Sequence, residues 1–252
     1  MGGREVGGLA STLAAHMDFA PDNVARVGRF WAAPNMATKP GLKAVDLFRG
    51  VGEGRIKAVW IMATNPAVSM PDAGQVREAL AGCPFVVVSD VIADTDTSRF
   101  AHVRLPATAW GEKDGTVTNS ERCISRQRPI FAPPGEARPD WWIIKEVGRR
   151  MGWRSAFAFD RPVDVWREHV RLSAYQNDGA RRFRLDRATP GNSDYETMEP
   201  FRWGDDAFAD GVYPTPDRRA RLVTVTQRAG ERPLERWPMT LNTGRYRDQW
   251  HT

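Results

Sequence analysis

The run KAVWIMATNPAVSMPDAGQVREALAGCPFVVVSD (57–90) decides the fold. It holds two compact apolar segments, KAVWIM (57–62) and PFVVV (84–88), separated by a stretch of different period. Short continuous apolar runs rich in Val and Ile are what the buried strands of a parallel sheet require. Between them, DAGQVREALAGC (72–83) has Pro71 and Asp72 near a helix start, Val76 and Leu80 on one face and Gly82 at the stop. Strand, crossover helix and strand make one βαβ unit. The next unit runs from DTSRFA (96–101) into HVRLPA (102–107), which puts Asn65 and the pair Ser89-Asp90 just past the carboxyl ends of neighbouring strands. Ligands of open α/β sheets bind at that edge. The expected fold class is α/β, a doubly wound and mostly parallel sheet with flanking helices.

Outward from this centre, Val6, Leu9, Leu13 and Met17 recur at helical spacing and predict an amphipathic helix at the N-terminus. A looser stretch follows, with Pro21, Pro34 and Pro40 as breakers. GVGEGR (50–55) resembles a phosphate loop, but it precedes a strand where a dinucleotide fingerprint follows one, so it reads as a helix-stop turn. Residues 112–128, EKDGTVTNSERCISRQR, show no period that would bury them against a core and read as an anion-ready loop. RPDWWIIKEVGRRMG (138–152) predicts a helix with Pro139 at its first turn, and VDVWREHVRLSA (163–174) predicts another. From about 178 to 233 the chain is irregular and rich in Pro, Gly, Asp and Arg, a linker or wrapping segment. RWPMTLNTGR (236–245) then begins an apolar strand. Fifteen residues are too few for a domain, so the sequence is expected to be cut short. The expected organisation is an α/β domain over 1–177, a linker over 178–233 and the start of a further domain over 234–252.

The chain has 252 residues, 41% hydrophobic and 27% charged, enough for a sizeable core. Its net charge of +5 comes almost wholly from arginine, since Lys39, Lys43, Lys57, Lys113 and Lys145 are its lysines. The arginines are interspersed with acids, which argues against a nucleic-acid-binding face, though arginine suits local grips on phosphate or carboxylate. Cys83 and Cys123 are far apart and form no CxxC, so neither a metal site, an iron–sulfur site nor a disulfide framework is expected within the chain. No stretch approaches the roughly 18 apolar residues of a membrane span, and MGGREVGGLA lacks the apolar centre of a secretory signal. The expected location is cytoplasmic.

Each candidate residue has two readings. Asn65, before Pro66, either stabilises a turn or meets a ligand. The Ser89-Asp90 carboxylate either accepts two donors from a ribose or a guanine, or caps the following segment. Asp140 in a first helical turn complements the helix dipole without any ligand. Lys113 is followed within ten residues by Thr116, Thr118, Asn119, Ser120 and Arg122, all donors for oxyanions. His16, His102 and His169 read as structural or exposed, and no catalytic triad or carboxylate pair follows from the spacings.

Seven motifs occur in order: GGREVGGLA (2–10), WIMATNPAVSMPD (60–72), VVVSD (86–90), LPATAWGEKDGTVTNSER (105–122), ISRQR (124–128), PGEARPDWW (134–142) and TGRYRDQWHT (243–252). Together they resemble the molybdopterin oxidoreductase family, with the first and fifth pointing to its assimilatory nitrate-reducing branch. The resemblance implies a molybdenum bound by two molybdopterin guanine dinucleotides, a 4Fe-4S cluster, nitrate as substrate, nitrite as product and an electron donor protein or subunit. It implies pterin-dinucleotide contacts from Asn65, Ser89, Asp90, Lys113 and Asp140. It also implies contacts from Thr243, Gly244, Arg245, Gln249, Trp250, His251 and Thr252, at the entry to a pterin-binding β-barrel. The family's cysteine cluster and metal-ligand segment have no counterpart in these residues. The resemblance therefore implies an internal fragment, the third domain and first strand of the fourth, with no catalytic or metal-ligating residue of its own and no nitrate turnover alone. A formate dehydrogenase fragment and a non-catalytic nucleotide-binding module are the rival readings.

Overall fold

The computed structural model describes residues 2–179, 181–186, 195–204, 210–213, 215, 217–226 and 235–239. The chain divides into two compact units, Met1–Ala207 and Phe208–Thr252. In the first, the elements in chain order are α1 (Gly2–Glu5), α2 (Pro21–Trp31), α3 (Ala44–Gly52), β1 (Ala58–Met62), α4 (Pro66–Ser69), α5 (Ala73–Gly82), β2 (Phe85–Asp90), β3 (Val103–Pro106), β4 (Gly115–Thr118), β5 (Cys123–Gln127), α6 (Asp140–Arg150), α7 (Pro162–Ala174) and β6 (Phe201–Arg202).

The predicted parallel sheet is present, in the order β1-β2-β3. Parallel partners share a face, so the pairs Val59–Val86 and Ile61–Val88 build one apolar surface. Phe48 and Val51 of α3 and Val76, Ala79 and Leu80 of α5 cover it. The Val76 and Leu80 spacing therefore does what a crossover helix needs. Asp72 caps α5 by accepting from the Gln75 N–H at 3.5 Å. Replacing a side chain such as Leu80 by Ala would cost about 2–5 kcal/mol.

A second core joins Leu13 and Met17, Val27 of α2, Ile124 of β5, Val163, Trp166 and Leu172 of α7, and Phe183, Leu185, Met198 and Trp203. Part of the irregular region beyond residue 178 is thus buried against the helices that precede it. Glu5, 2% exposed, ties this core together: it accepts from Trp203 Nε1 and from Thr118 Oγ1, each at 2.7 Å.

Three local expectations are corrected. The N-terminal helix ends at Glu5, because Gly7 takes φ +76° and the chain folds back so that the Ala15 N–H donates to the Glu5 carbonyl at 2.7 Å. Only Leu13 and Met17 of its predicted stripe are buried, while Val6 and Leu9 are exposed. Within the supposed loose stretch, Pro21 starts α2, where a missing N–H costs nothing. Residues 112–128 are not a loop but mostly an antiparallel hairpin, β4 with β5, to which β6 adds. Asn119 Oδ1 accepts from the N–H groups of Glu121 and Cys123 and turns the chain, while Ile124 anchors the hairpin in the second core.

In the second unit, the Thr215 hydroxyl donates to the Arg219 carbonyl or the Asp217 carboxylate, and the Tyr213 N–H donates to the Arg218 carbonyl. Most of the predicted strand at 236–245, and all of 240–252, lie outside the described residues.

His16 and His169 both pack against Phe183 in the second core. Burial pushes His169 down to about 4, helped by the neighbouring His16, and burial also lowers His16 against the pull of Glu5. The unfolded chain takes up these protons near pH 6.5, before the folded one does. Stability is therefore full above that pH and lost as pH falls toward 4. Between pH 7.5 and 5.0, the unfolding free energy from urea titration is expected to drop by about 2 kcal/mol through His169. His169→Phe should remove most of that slope; an unchanged slope in the variant would contradict the assignment.

Candidate functional site

The carboxyl ends of the three parallel strands converge on one cleft. After β1, Ala63 continues the ladder by donating its N–H to the Ser89 carbonyl at 2.9 Å, and Asn65 follows. Asn65 Oδ1 accepts from the Thr97 hydroxyl at 2.6 Å and from the Thr97 N–H at 3.1 Å. Thr97 is fully buried, and its Oγ1 accepts in turn from the Ala67 N–H at 3.1 Å. Asn65 thus clasps the β1–α4 turn to the segment leading toward β3.

After β2, Ser89 and Asp90 diverge. Ser89 is buried with Oγ accepting from Trp60 Nε1 at 2.8 Å, so its side chain lies within the sheet layer and does not line the cleft. Asp90 is half-buried at the rim, where its Oδ1 accepts from the Ile92 N–H at 3.1 Å.

After β3, Ala107 pairs in parallel with Arg138, and the Thr108 N–H donates to the Arg138 carbonyl at 3.2 Å. That bridge sets the start of α6 beside the sheet edge. Lys113 follows a single 3-10 turn, closed by Glu112 Oε2 accepting from the Ala109 N–H at 2.8 Å. Its ammonium meets Asp140 Oδ2 at 2.7 Å, with both side chains about 30% exposed (30% and 27%). The hairpin donors do not join it. Thr118 is spent on Glu5, Arg122 Nη1 donates to the Gly204 carbonyl, and Arg126 is buried in an ion pair with Asp114.

The cleft encloses about 280 Å³ and is lined by Asn65, Asp90, Thr95, Thr108, Lys113 and Asp140 among others. Four of the five described sequence candidates thus share one cavity. Two of the residues lining it, Asp140 and Thr108, each carry a buried side-chain oxygen, Oδ1 and Oγ1, with no hydrogen-bond partner within the protein. Buried polar atoms are nearly always paired, and leaving one unmade costs about 1–3 kcal/mol. A larger cavity, about 580 Å³, lies along α7 with Trp166, Arg167 and Glu168 on its wall. There Glu168 already accepts from Trp31 Nε1 at 2.9 Å, and none of the lining residues carries a buried partnerless atom. The smaller cleft is therefore the better candidate site. Thr108, like Thr64 and Thr95, is a polar lining residue that sequence reasoning missed, since a Thr inside LPATAW bears no mark of its own; only the bridge to Arg138 reveals it. The candidates Thr243, Gly244, Arg245, Gln249, Trp250, His251 and Thr252 lie outside the described residues.

A family model described as molybdopterin oxidoreductase matches residues 2–150. This chain belongs to the molybdopterin oxidoreductase family. It is 52% identical to a nitrate reductase of Klebsiella oxytoca over 258 aligned residues, covering 100% of this chain and 30% of that protein. It is 42% identical to a nitrate reductase of Shewanella frigidimarina, covering 100% of the chain and 28% of that protein. A formate dehydrogenase subunit alpha of Methanocaldococcus jannaschii is 33% identical over 78% of the chain and 29% of its own length. The chain thus spans under a third of the length of these relatives. Molybdopterin oxidoreductases use a molybdenum–pterin cofactor. The cleft fits part of such a group, because the Lys113 ammonium on its wall tolerates an anionic ligand and the Asp90 and Asp140 carboxylates can accept from ligand donors. Among the described residues, no cluster of His, Cys, Asp or Glu is placed to hold a metal ion, and no helix is long and apolar enough to cross a membrane.

Asn65→Ala leaves two Thr97 donors without their acceptor and is expected to lower stability by about 2 kcal/mol, whereas Asn65→Asp keeps the acceptor and should cost less. Urea titration of the ligand-free protein distinguishes the two; equal losses would mean that the Thr97 clasp is not what holds the turn.

Proposed function

We propose that this chain is the part of a molybdenum oxidoreductase that grips a nucleotide arm of molybdopterin guanine dinucleotide, in an enzyme reducing nitrate to nitrite for assimilation. The observation that carries the reading is the single cleft at the carboxyl ends of β1, β2 and β3, where Asp90, Lys113 and Asp140 line the same space. The nitrate assignment is supported by two nitrate reductases that align with the whole chain at 52% and 42% identity. A formate-oxidising enzyme is the second reading, favoured by the relative at 33% identity.

On this reading residues 1–177 form the nucleotide-binding domain, 178–233 a linker or wrapping segment, and 234–252 the start of a pterin-binding barrel with contacts from 243–252. The iron–sulfur cluster and the electron donor belong to the rest of the enzyme, which acts in the cytoplasm. When bound, the molybdenum cofactor supplies the oxygen-atom and electron transfer. This chain's own residues bind and orient. Lys113 holds Asp140 Oδ2 with one N–H and has two further donors for ligand oxygens. Asp140 Oδ1, being only an acceptor, takes a ligand donor, and the Asp90 carboxylate offers a further acceptor at the rim. Asn65 keeps the β1–α4 turn in shape beneath them.

Asp140→Asn in the enzyme that carries this region tests the assignment. Losing one charge-assisted bond weakens cofactor binding by roughly 1.5–3 kcal/mol, so molybdenum and pterin content per polypeptide should fall. Full cofactor content with a lowered melting temperature would instead assign Asp140 to complementing the dipole of α6 and holding Lys113 alone. Reduction of nitrate and oxidation of formate, assayed on the wild-type enzyme, separate the two readings of substrate.

A further inference from the structure

We infer that Trp110, Ile130 and Phe131 form a permanent contact surface, which a segment of the same enzyme outside residues 1–252 covers with apolar side chains. The inference rests on the reading above only in taking this chain as part of a longer polypeptide.

Trp110 is 69% exposed, Ile130 77% and Phe131 67%. Large apolar residues scattered singly over a surface are ordinary, whereas a contiguous group marks an interaction site. These three are contiguous because the chain entering the β4–β5 hairpin meets the chain leaving it. The N–H groups of Ile130 and Phe131 both donate to the Gly111 carbonyl, at 2.7 and 3.0 Å. Gln127 Nε2 donates to the Trp110 carbonyl at 2.8 Å. A Cβ at position 111 would lie 3.2 Å from Phe131 Cδ2, so the lack of a side chain there lets the ring close on the backbone. The group is thus held in place before any partner arrives, which lowers the entropy lost when it is covered.

Its surroundings select the kind of cover. The charged neighbours are already bonded within the chain: Glu112 Oε2 accepts from the Ala109 N–H, and Arg128 Nη2 donates to the Glu196 carbonyl. What remains is apolar area with little charge to steer an encounter, the character of a permanent interface and not of a transient one. The aligned nitrate reductases have the length to supply the cover, since this chain accounts for 30% and 28% of them and most of each polypeptide lies elsewhere. A segment joined to this one by the backbone is present at high effective concentration, which a separate protein is not.

Hydroxyl-radical footprinting read by mass spectrometry tests this, on the 252-residue chain and on the intact enzyme that carries it. Trp110 and Phe131 are expected to oxidise readily in the chain and at least about 10-fold more slowly in the enzyme, at every enzyme concentration, because a covered apolar anchor is shut off from water. Ile130→Ser and Phe131→Ser together should leave the melting temperature of the chain unchanged and lower that of the enzyme. Equal oxidation in chain and enzyme, or a double variant that lowers both melting temperatures alike, would overturn the inference. So would protection already present in the 252-residue chain, protection that grows with enzyme concentration and so assigns the surface to a second copy, or protection that requires an added electron-donor protein. An enzyme polypeptide no longer than this chain would instead overturn the reading of a larger protein.

Discussion

Parallel pairing of β2 between β1 and β3 is the constraint on which the site depends. The register Ile61 to Val88, with Val88 to Arg104 on the other side, brings the carboxyl ends of three strands to one level. A slip of one residue would turn Val86 and Val88 away from α3 and α5 and bury Val87 and Ser89 in their place. The apolar face against those helices therefore sets where Asn65 and Asp90 emerge, though neither residue belongs to that core. Core and cleft are two consequences of the same pairing.

The far side of the cleft is built differently. A single parallel bridge, Ala107 to Arg138, carries the sheet edge one step beyond β3 and delivers Asp140 to Lys113 across 27 residues of chain. Between these points lies the β4–β5 hairpin, secured by Ile124 in the second core and by Thr118 on the buried carboxylate of Glu5. The ion pair is partly exposed and contributes only about 1 kcal/mol to stability. Its effect is to fix the Asp140 side chain, through Oδ2, on the wall of the cleft.

The parallel sheet was legible because its signal is local: Val and Ile runs of strand length, with a helix start at Asp72 and a stop at Gly82, leave few alternatives. Four of the five described site candidates were legible as strand-end residues or motif members, and the cleft gathers them. Ser89 shows the limit, since sequence places it at the edge but cannot say that Trp60 takes its hydroxyl. The hairpin at 115–127 was misread because its side chains are bound by partners distant in the chain, Glu5 and residues near 195–204, which no local period records. The N-terminal stripe was misread because the left-handed turn at Gly7 outweighs the spacing of Leu9, Leu13 and Met17. Thr108 was invisible because its environment is created by Arg138, thirty residues on.

The central claim is that the cleft at the strand ends, and not the larger cavity along α7, receives the nucleotide of the cofactor. Hydrogen–deuterium exchange of the chain with and without guanosine diphosphate tests it most directly. Slowed exchange is expected at 63–66, 90–95 and 107–113 and at the start of α6. Protection confined to 155–171, or no change at the strand ends with nucleotide bound, would contradict it.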